Sequence, residues 1–373
     1  VLYYQNDPRL QGVGHQKMIG RDLMIGIVAR HGEYERDVYL PSGRWANYHT
    51  NEWVASDGAT VANVPVYRNN ILRIPTFARG GALIPKMPVD AATKDVFGHR
   101  QDGTAPATDL TVRAYADPAL TTFTLYEDDG ITVKYTANGQ PQYHHRRSEL
   151  AQQQTSPTSA TVIIGASIDV NGIGAYAGSI DSRRNIVELV ADGTSATGVA
   201  LNGSALAERG SLGDFHAADS GWINAGPNLI LAKSPPLSVA VAKTFVFTLL
   251  PGAASTSVNF VCDKGETGLG RSVFVVGSLD ALGSWDPGRA IKLDPNVYFE
   301  YIHSPPPGGQ SAGPSRPVWT GVVAGLPPQP SFEWKCISLN DDHSGEPGWQ
   351  PGPNNLFQSQ SVSGYAGRAK GAF

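Results

Sequence analysis

The chain has 373 residues, 41% of them hydrophobic and 17% charged, with a formal net charge of -4. That length supports two or three hydrophobic cores, and its Lys and Arg residues are scattered rather than massed into a stripe that would track phosphates, which argues against a nucleic-acid partner. No apolar run approaches the roughly 18 residues needed to span a bilayer, so no membrane partner is expected either.

The opening VLYYQNDPRL has neither a basic n-region nor an apolar h-region and lacks an initiator Met, which suggests a piece of something larger. Only the first two dozen residues could belong to an α/β element. After them, apolar and polar residues alternate in short runs at 36–40, 109–116, 121–127, 159–168, 243–250 and 271–277. Period two over four to eight residues is the mark of half-buried strands. Asn-Gly or Asp-Gly pairs punctuate the chain at 57–58, 102–103, 129–130, 138–139, 171–172, 192–193 and 202–203, and such pairs tolerate the positive φ of a tight hairpin. The cleanest hairpin is FTLYED followed by GITVKYT. Loops are expected at 150–158 and 233–237, a linker at 251–257, and a mobile Pro/Gly-rich surface insertion at 303–317. The fold class that follows is mainly β, built from tandem antiparallel β-sandwiches, with no repeat of solenoid period.

Cys262 and Cys336 are the only cysteines, too few for a disulfide scaffold and without metal-ligand spacing. Alternation along 332–336 places Phe332, Trp334 and Cys336 on one face and Glu333 and Lys335 on the other. Cys262 follows Val258 and Phe260 in the same way, so the two cysteines read as buried neighbours, either a disulfide or free thiols. Free thiols are favoured, because only a close geometry permits a bond.

Chemistry-bearing residues concentrate near the end of the chain. Trp285 lies in a turn, LGSWDP, and Trp349 in another, EPGWQPGPNN. A Trp in a Gly/Pro-rich turn has few neighbours to bury it, so its indole is presented outward. A sugar ring suits that surface: its C–H face stacks on an aromatic plane while Lys, Asn or Gln meets the hydroxyls. The competing reading has both tryptophans capping their own sandwich core.

Elsewhere the acidic clusters Glu127-Asp128-Asp129 and Asp341-Asp342 are sequence neighbours, which suits solvated turns rather than two carboxylates held about 5 Å apart across a scissile bond. His144-His145 with Arg146-Arg147 reads as a surface strand end, and Asn202-Gly203-Ser204 as a chance sequon. There is no Gly-x-Ser-x-Gly elbow and no phosphate-binding glycine loop. No catalytic residue, metal site or cofactor is therefore expected.

The run GRSVFVVGSLDALGSWDPGRAIKLDP, followed by PVWTGVVAGLPPQPSFEWKCISL and then GWQPGPNN, resembles the starch-binding carbohydrate-binding module family 20 over about 100 residues. That resemblance implies an antiparallel sandwich with two α-glucan sites. The first would comprise Trp285, Lys335, Trp349, Gln350 and Asn354, the tryptophans stacking on consecutive glucose rings and Lys335 and Asn354 bonding to hydroxyls. Gln350 stands where the family usually has Glu, which implies somewhat weaker binding. The second site would draw on Phe274, Tyr298 and Trp319, with the insertion at 303–317 disturbing that side.

HQKMIGRDLMIGIVARHGEYERDVYLPSGRWANYHTNEW, continuing to VYRNNILRIPTFARGGALIP and TLYEDDGITVKYTANG, resembles the C-terminal part of glycoside hydrolase family 31 over roughly residues 5–140, although His-Thr-Asn at 49–51 replaces a more usual Trp-Thr-Gly. Residues 141–250 fit only by position and β character. The implied domains are the end of a catalytic barrel at 1–28, a proximal sandwich at 29–90, a distal sandwich at 91–250, a starch-binding sandwich at 256–360 and a flexible tail at 361–373. The family includes retaining α-glucosidases and α-transglucosylases, but neither of its catalytic carboxylate motifs is present. The resemblance thus implies a starch-binding and scaffolding portion of a secreted enzyme whose catalytic barrel lies outside this chain. The alternatives are a protein-interaction sandwich and an enzyme with a cryptic site of its own.

Overall fold

The computed structural model describes residues 3–29, 33, 35–68, 71–89, 108–128, 136–137, 140–141, 145–169, 179–226, 228–251, 256–302, 311–326, 331–358 and 365–373. Strands dominate, and the chain divides into two compact units, Val1–Arg79 with Ala253–Phe373, and Gly80–Gly252.

In the first unit, Gln16–Ile19, Leu23–Gly26, Thr76–Arg79, Gly43–Asn47 and Trp53–Ser56 form a five-stranded antiparallel sheet in that spatial order. The ribbon Glu35–Leu40/Ala59–Pro65 packs with it, since Met24, Trp45, Val54 and Phe77 share one core with Val38, Leu40, Val61 and Val64. The hairpin at 16–26 corrects the expectation of an α/β remnant at 1–28: its strands hydrogen-bond into the sandwich sheet.

The second unit stacks two sheets. One orders Leu83–Lys86, Leu110–Tyr115, Asn185–Val190, Leu229–Lys233 and Gly221–Gly226; the other is built around Thr121–Asp128, His145–Ser156, Ser159–Ile164, Lys243–Pro251 and Thr194–Leu201. Side chains from both meet in one core that includes Val112, Leu189, Ile230, Leu150, Val162 and Phe247. Leu83–Lys86 pairs with Leu110–Tyr115, so this unit takes in residues expected in the proximal sandwich. Leu110–Tyr115 runs parallel to Asn185–Val190, an exception to the antiparallel expectation, and the long connection between them supplies most of the other sheet. The second arm of the expected hairpin at 129–135 lies outside the described residues; Thr121–Asp128 pairs instead with His145–Ser156. Asn202 and Gly203, at φ 49° and 82°, form the two-residue turn that the Asn-Gly pair predicts.

Returning to the first unit, residues from 256 onward form a further two-sheet sandwich. Asp294–Ile302, Ser311–Leu326, Thr256–Asp263 and Tyr365–Ala372 make one sheet; Ile291–Lys292, Arg271–Gly277 and Ser331–Asn340, edged by Gly348–Trp349 and Asn355–Gln358, make the other. Three expectations change here. Tyr365–Ala372 is a strand parallel to Thr256–Asp263, not a flexible tail. Ser311–Pro317, expected in a mobile loop, extends a strand paired with Asp294–Ile302; residues 303–310 lie outside the described residues. Cys262 and Cys336 are disulfide-bonded rather than free, because they point at each other from facing sheets with Cα atoms 5.9 Å apart.

Candidate carbohydrate-binding site

The sheet that contains Arg271–Gly277 and Ser331–Asn340 has two faces of different character. Inward, Val273, Val275, Trp334 and Cys336 join the core between the sheets. Outward, Phe274, Val276, Ile337, Leu339 and Ala290 form a second, smaller apolar cluster, with Trp285 packed against it. The register sets Phe274 opposite Ile337 and Val276 opposite Lys335, so Lys335 emerges on the outer face beside that cluster.

Trp285 closes the turn Asp280–Trp285, where three successive residues have positive φ: Gly283 at 81°, Ser284 at 52° and Trp285 at 67°. For a bulky residue this region is a genuine outlier, and such strain persists only where surrounding contacts enforce it. The Arg289 guanidinium donates to an Asp280 carboxylate oxygen at 2.7 Å across the base of the turn and holds that carboxyl below its usual pKa. Gly283 is required because a Cβ there would sit 2.9 Å from the Arg289 carbonyl oxygen. Half-buried against the apolar cluster, the Trp285 ring remains partly open to solvent.

Trp349 follows from the same sheet. Gly348–Trp349 pairs with Ile337–Ser338, and the Trp349 side chain is 42% exposed. Lys335 fastens the turn beyond it, its ammonium donating to the carbonyls of Gln350 at 3.0 Å and Gly352 at 2.6 Å. An ammonium has three donors, so one more remains for a ligand hydroxyl. Asn354 is exposed, and its amide donates to the Glu333 carboxylate at 2.9 Å. Trp285, Lys335, Trp349 and Asn354 are thus all carried by the outer face and the turns at its border.

Gln350 departs from the sequence expectation. It is buried; its side-chain oxygen accepts from the Cys336 amide at 3.1 Å and from Asn355 at 2.7 Å, and its amide nitrogen donates back to Asn355 at 3.0 Å. The side chain braces the turn from inside and does not reach the ligand face. The second site is corrected more fully. Phe274 is fully buried beneath His343, with ring centroids 4.7 Å apart, and Trp319 is buried in the inter-sheet core with its indole N–H on the Gly265 carbonyl at 2.8 Å. Neither can stack on a sugar ring; the side chain of Tyr298 lies outside the described residues.

The acidic clusters are engaged structurally. Glu127 accepts from the two terminal guanidinium nitrogens of Arg183 at 2.5 and 2.9 Å. Asp341 accepts from Ser272 at 2.5 Å and Lys292 at 3.0 Å, which hold its carboxyl below the usual range. Asp129 and His144 lie outside the described residues, His145 is buried, and Arg146 pairs with Asp169 at 2.8 Å. The side-chain oxygen of Asn202 accepts from the Thr244 amide at 2.8 Å, so that residue is committed to the fold. Among the described residues no group of three or more His, Cys, Asp or Glu side chains could hold a metal ion. Sequence reasoning passed over Arg289 and Asp280 and gave Glu333 only its face of the strand; all three support the candidate site through contacts that no local pattern marks.

Residues 1–84 match the family model described as the glycosyl hydrolase family 31 C-terminal domain, and residues 255–304 match that of the starch binding domain. A cyclomaltodextrin glucanotransferase of Klebsiella oxytoca is 33% identical over 107 residues, 28% of this chain and 13% of that protein. A 1,6-alpha-glucosyltransferase of Sporosarcina globispora is 26% identical over 220 residues, 59% of this chain and 15% of that protein. The chain therefore spans a small fraction of the length of these relatives. Among solved structures, a family 31 dextranase of Flavobacterium johnsoniae shares the fold at a TM-score of 0.50 and 21% identity, over 66% of this chain and 28% of that one. The chain thus joins a glycosyl hydrolase family 31 C-terminal domain, at residues 1–84, to a starch-binding domain that the family model matches from residue 255.

Proposed function

We propose that this chain is the α-glucan-binding and scaffolding portion of a secreted glycoside hydrolase, and that Trp285, Lys335, Trp349 and Asn354 form its glucan site. The observation that carries this reading is the placement of two tryptophans, one 42% exposed and one held in a strained turn, at the borders of a single sheet face around an anchored lysine. The indole faces take the C–H faces of glucose rings, and Lys335 and Asn354 take hydroxyls. A catalytic barrel elsewhere in the parent protein supplies the acid and the nucleophile for hydrolysis or glucosyl transfer with retention. Anchoring on the polysaccharide raises the substrate concentration seen by that barrel. Export agrees with the buried Cys262–Cys336 bond, since structural disulfides persist in oxidising compartments.

Titration with β-cyclodextrin, followed by tryptophan fluorescence, tests the site. Saturable binding that weakens at least tenfold in both Trp285→Ala and Trp349→Ala is expected. Wild-type protein that gives neither signal nor heat up to millimolar ligand would sink the reading.

A further inference from the structure

The strained turn that carries Trp285 is met by a side chain from 56 residues beyond Pro287, that of His343. His343 lies in the turn that follows Ser331–Asn340, at φ 65°, with its amide donating to the Asn340 carbonyl at 2.9 Å. Positive φ is uncommon outside glycine, and here the imidazole has two contacts that hold it. Its ring meets that of Phe274 edge to face, with centroids 4.7 Å apart, and its Nδ1 lies 3.5 Å from the Pro287 carbonyl oxygen. Phe274 belongs to the apolar cluster on which the Trp285 ring packs, and Pro287 is two residues beyond Trp285. One half-buried imidazole therefore touches both the surface beneath Trp285 and the backbone that carries it.

The Pro287 contact depends on the charge of the ring. At 3.5 Å it is at the long limit of a hydrogen bond. A protonated imidazole carries N–H on both nitrogens, and charge-assisted hydrogen bonds are shorter and about twice as strong as neutral ones. Histidine is the side chain whose charge changes between pH 5 and 8. The charged groups on the elements around the ring are committed elsewhere. Asp341, held by Ser272 and Lys292, and Asp342, held by Ser344, both have carboxyls below the usual range. Asp280 pairs with Arg289 at 2.7 Å, and Asp286 accepts from the Gly288 amide at 2.9 Å. On the strands, Lys292 pairs with Asp341 at 3.0 Å and Arg271 donates to the Ser338 carbonyl at 2.8 Å.

We propose that His343 is a positioning residue of the glucan site, which sets the direction of the Trp285 indole through the Pro287 carbonyl and tightens that hold on taking up a proton. The proposal rests on the glucan reading of Trp285 given above. A turn held in its bound conformation loses less freedom on binding, so affinity rises as pH falls.

Titration of the whole chain with β-cyclodextrin at pH 5 and pH 8 tests it. Affinity about threefold higher at pH 5 is expected, the scale of strengthening one hydrogen bond. His343→Gln keeps an amide donor that does not titrate, and it should bind equally at both pH values, near the wild-type affinity at pH 8. His343→Gly removes the ring at a φ that glycine adopts freely, and it should bind more weakly than either. A merely structural role would lower melting temperature and affinity together, with no pH dependence for the glutamine to remove. The proposal is overturned if wild-type affinity is the same at both pH values, or if His343→Gln keeps the wild-type response. Fluorine NMR of 5-fluorotryptophan protein, with the Trp285 resonance assigned by Trp285→Phe, reads the same hold without ligand. That resonance should move between pH 5 and pH 8 in the wild type and stay still in His343→Gln. If the wild type binds no cyclodextrin the glucan reading falls, and the Trp285 resonance decides the positioning role: indifference to pH, or equal movement in His343→Gln, sinks it.

Discussion

The inner and outer faces of the sheet containing Ser331–Asn340 put the same residue type to different uses. Trp334 points inward and is 1% exposed, packed edge-on against Phe260 with centroids 5.0 Å apart. Trp349, paired in register with the same strand, is 42% exposed on the outer side. The inner face is sealed by apolar contact and a disulfide; the outer face is held by turns, a lysine and a strained backbone. A core gains from removing every atom from water, whereas a binding face must leave apolar surface uncovered and fix it by other means. Stability and function should therefore separate cleanly between the two tryptophans.

The largest expected effect follows directly. Trp334→Ala should destabilise the starch-binding domain by about 3–5 kcal/mol, the usual cost of emptying a core of an aromatic ring. Trp349→Ala should cost less than about 1 kcal/mol while losing glucan binding. Urea unfolding of both variants, set beside their cyclodextrin titrations, checks the contrast. Equal losses of stability would mean that Trp349 is a core residue.

Lysines sharpen the comparison next. Lys335 lies on a surface and spends its charge on two carbonyls. Lys243, on a strand of the second unit, is 1% exposed, and burial, aided by the positive charge of Arg183, lowers its pKa to about 8. Its unfolded value is near 10.4. Between these two values the unfolded chain binds more protons, so stability rises with pH from about 8 to about 10.4. The penalty is present in full below pH 8. Lys243→Met should relieve on the order of 3 kcal/mol at pH 7 and flatten that pH dependence. Amide hydrogen exchange along Lys243–Pro251 at pH 7, with urea unfolding at pH 7 and pH 10, reads it locally. Unchanged protection in the variant would show that the amine is stabilised where it sits.

How far these features could be read from sequence depends on whether local pattern or distant packing decides them. Alternation alone sets Cys336 and Trp334 on the same face and Lys335 on the other, because side-chain direction in a strand is local. The outward placement of Trp349 was similarly legible from its Gly/Pro-rich turn. The same rule sends Phe274 to the outer face, but His343 and the turn at 280–290 then cover it, and nothing near Phe274 in sequence announces that cover. Alternation makes Cys262 and Cys336 buried neighbours and leaves a disulfide or free thiols open; the choice falls on free thiols because the cysteines are 74 residues apart and their close approach exists only once two sheets are stacked. Gln350 was misplaced because the resemblance carried it over with Trp349, whereas successive side chains at a sheet edge point in opposite directions and turn it inward. Gly and Pro masked the strand character of 311–317, where pairing to Asp294–Ile302 overrides a weak local preference.

The smallest expected effect concerns a residue outside the proposed glucan site itself. Glu333 is exposed and accepts the Asn354 amide at 2.9 Å, so it fixes the direction in which Asn354 presents its remaining donor and acceptor. Removing that hold does not empty a core, and stability should change by less than about 1 kcal/mol. Binding should weaken about threefold to tenfold in Glu333→Ala, the range of one modest hydrogen bond. Glu333→Gln can still accept from Asn354 and should recover most of the loss. A merely structural role would move the melting temperature and the affinity together, and the glutamine would not rescue one without the other. If Glu333→Ala binds β-cyclodextrin as tightly as the wild type, Asn354 is either oriented without help or does not touch the sugar, and Asn354→Ala in the same titration separates the two.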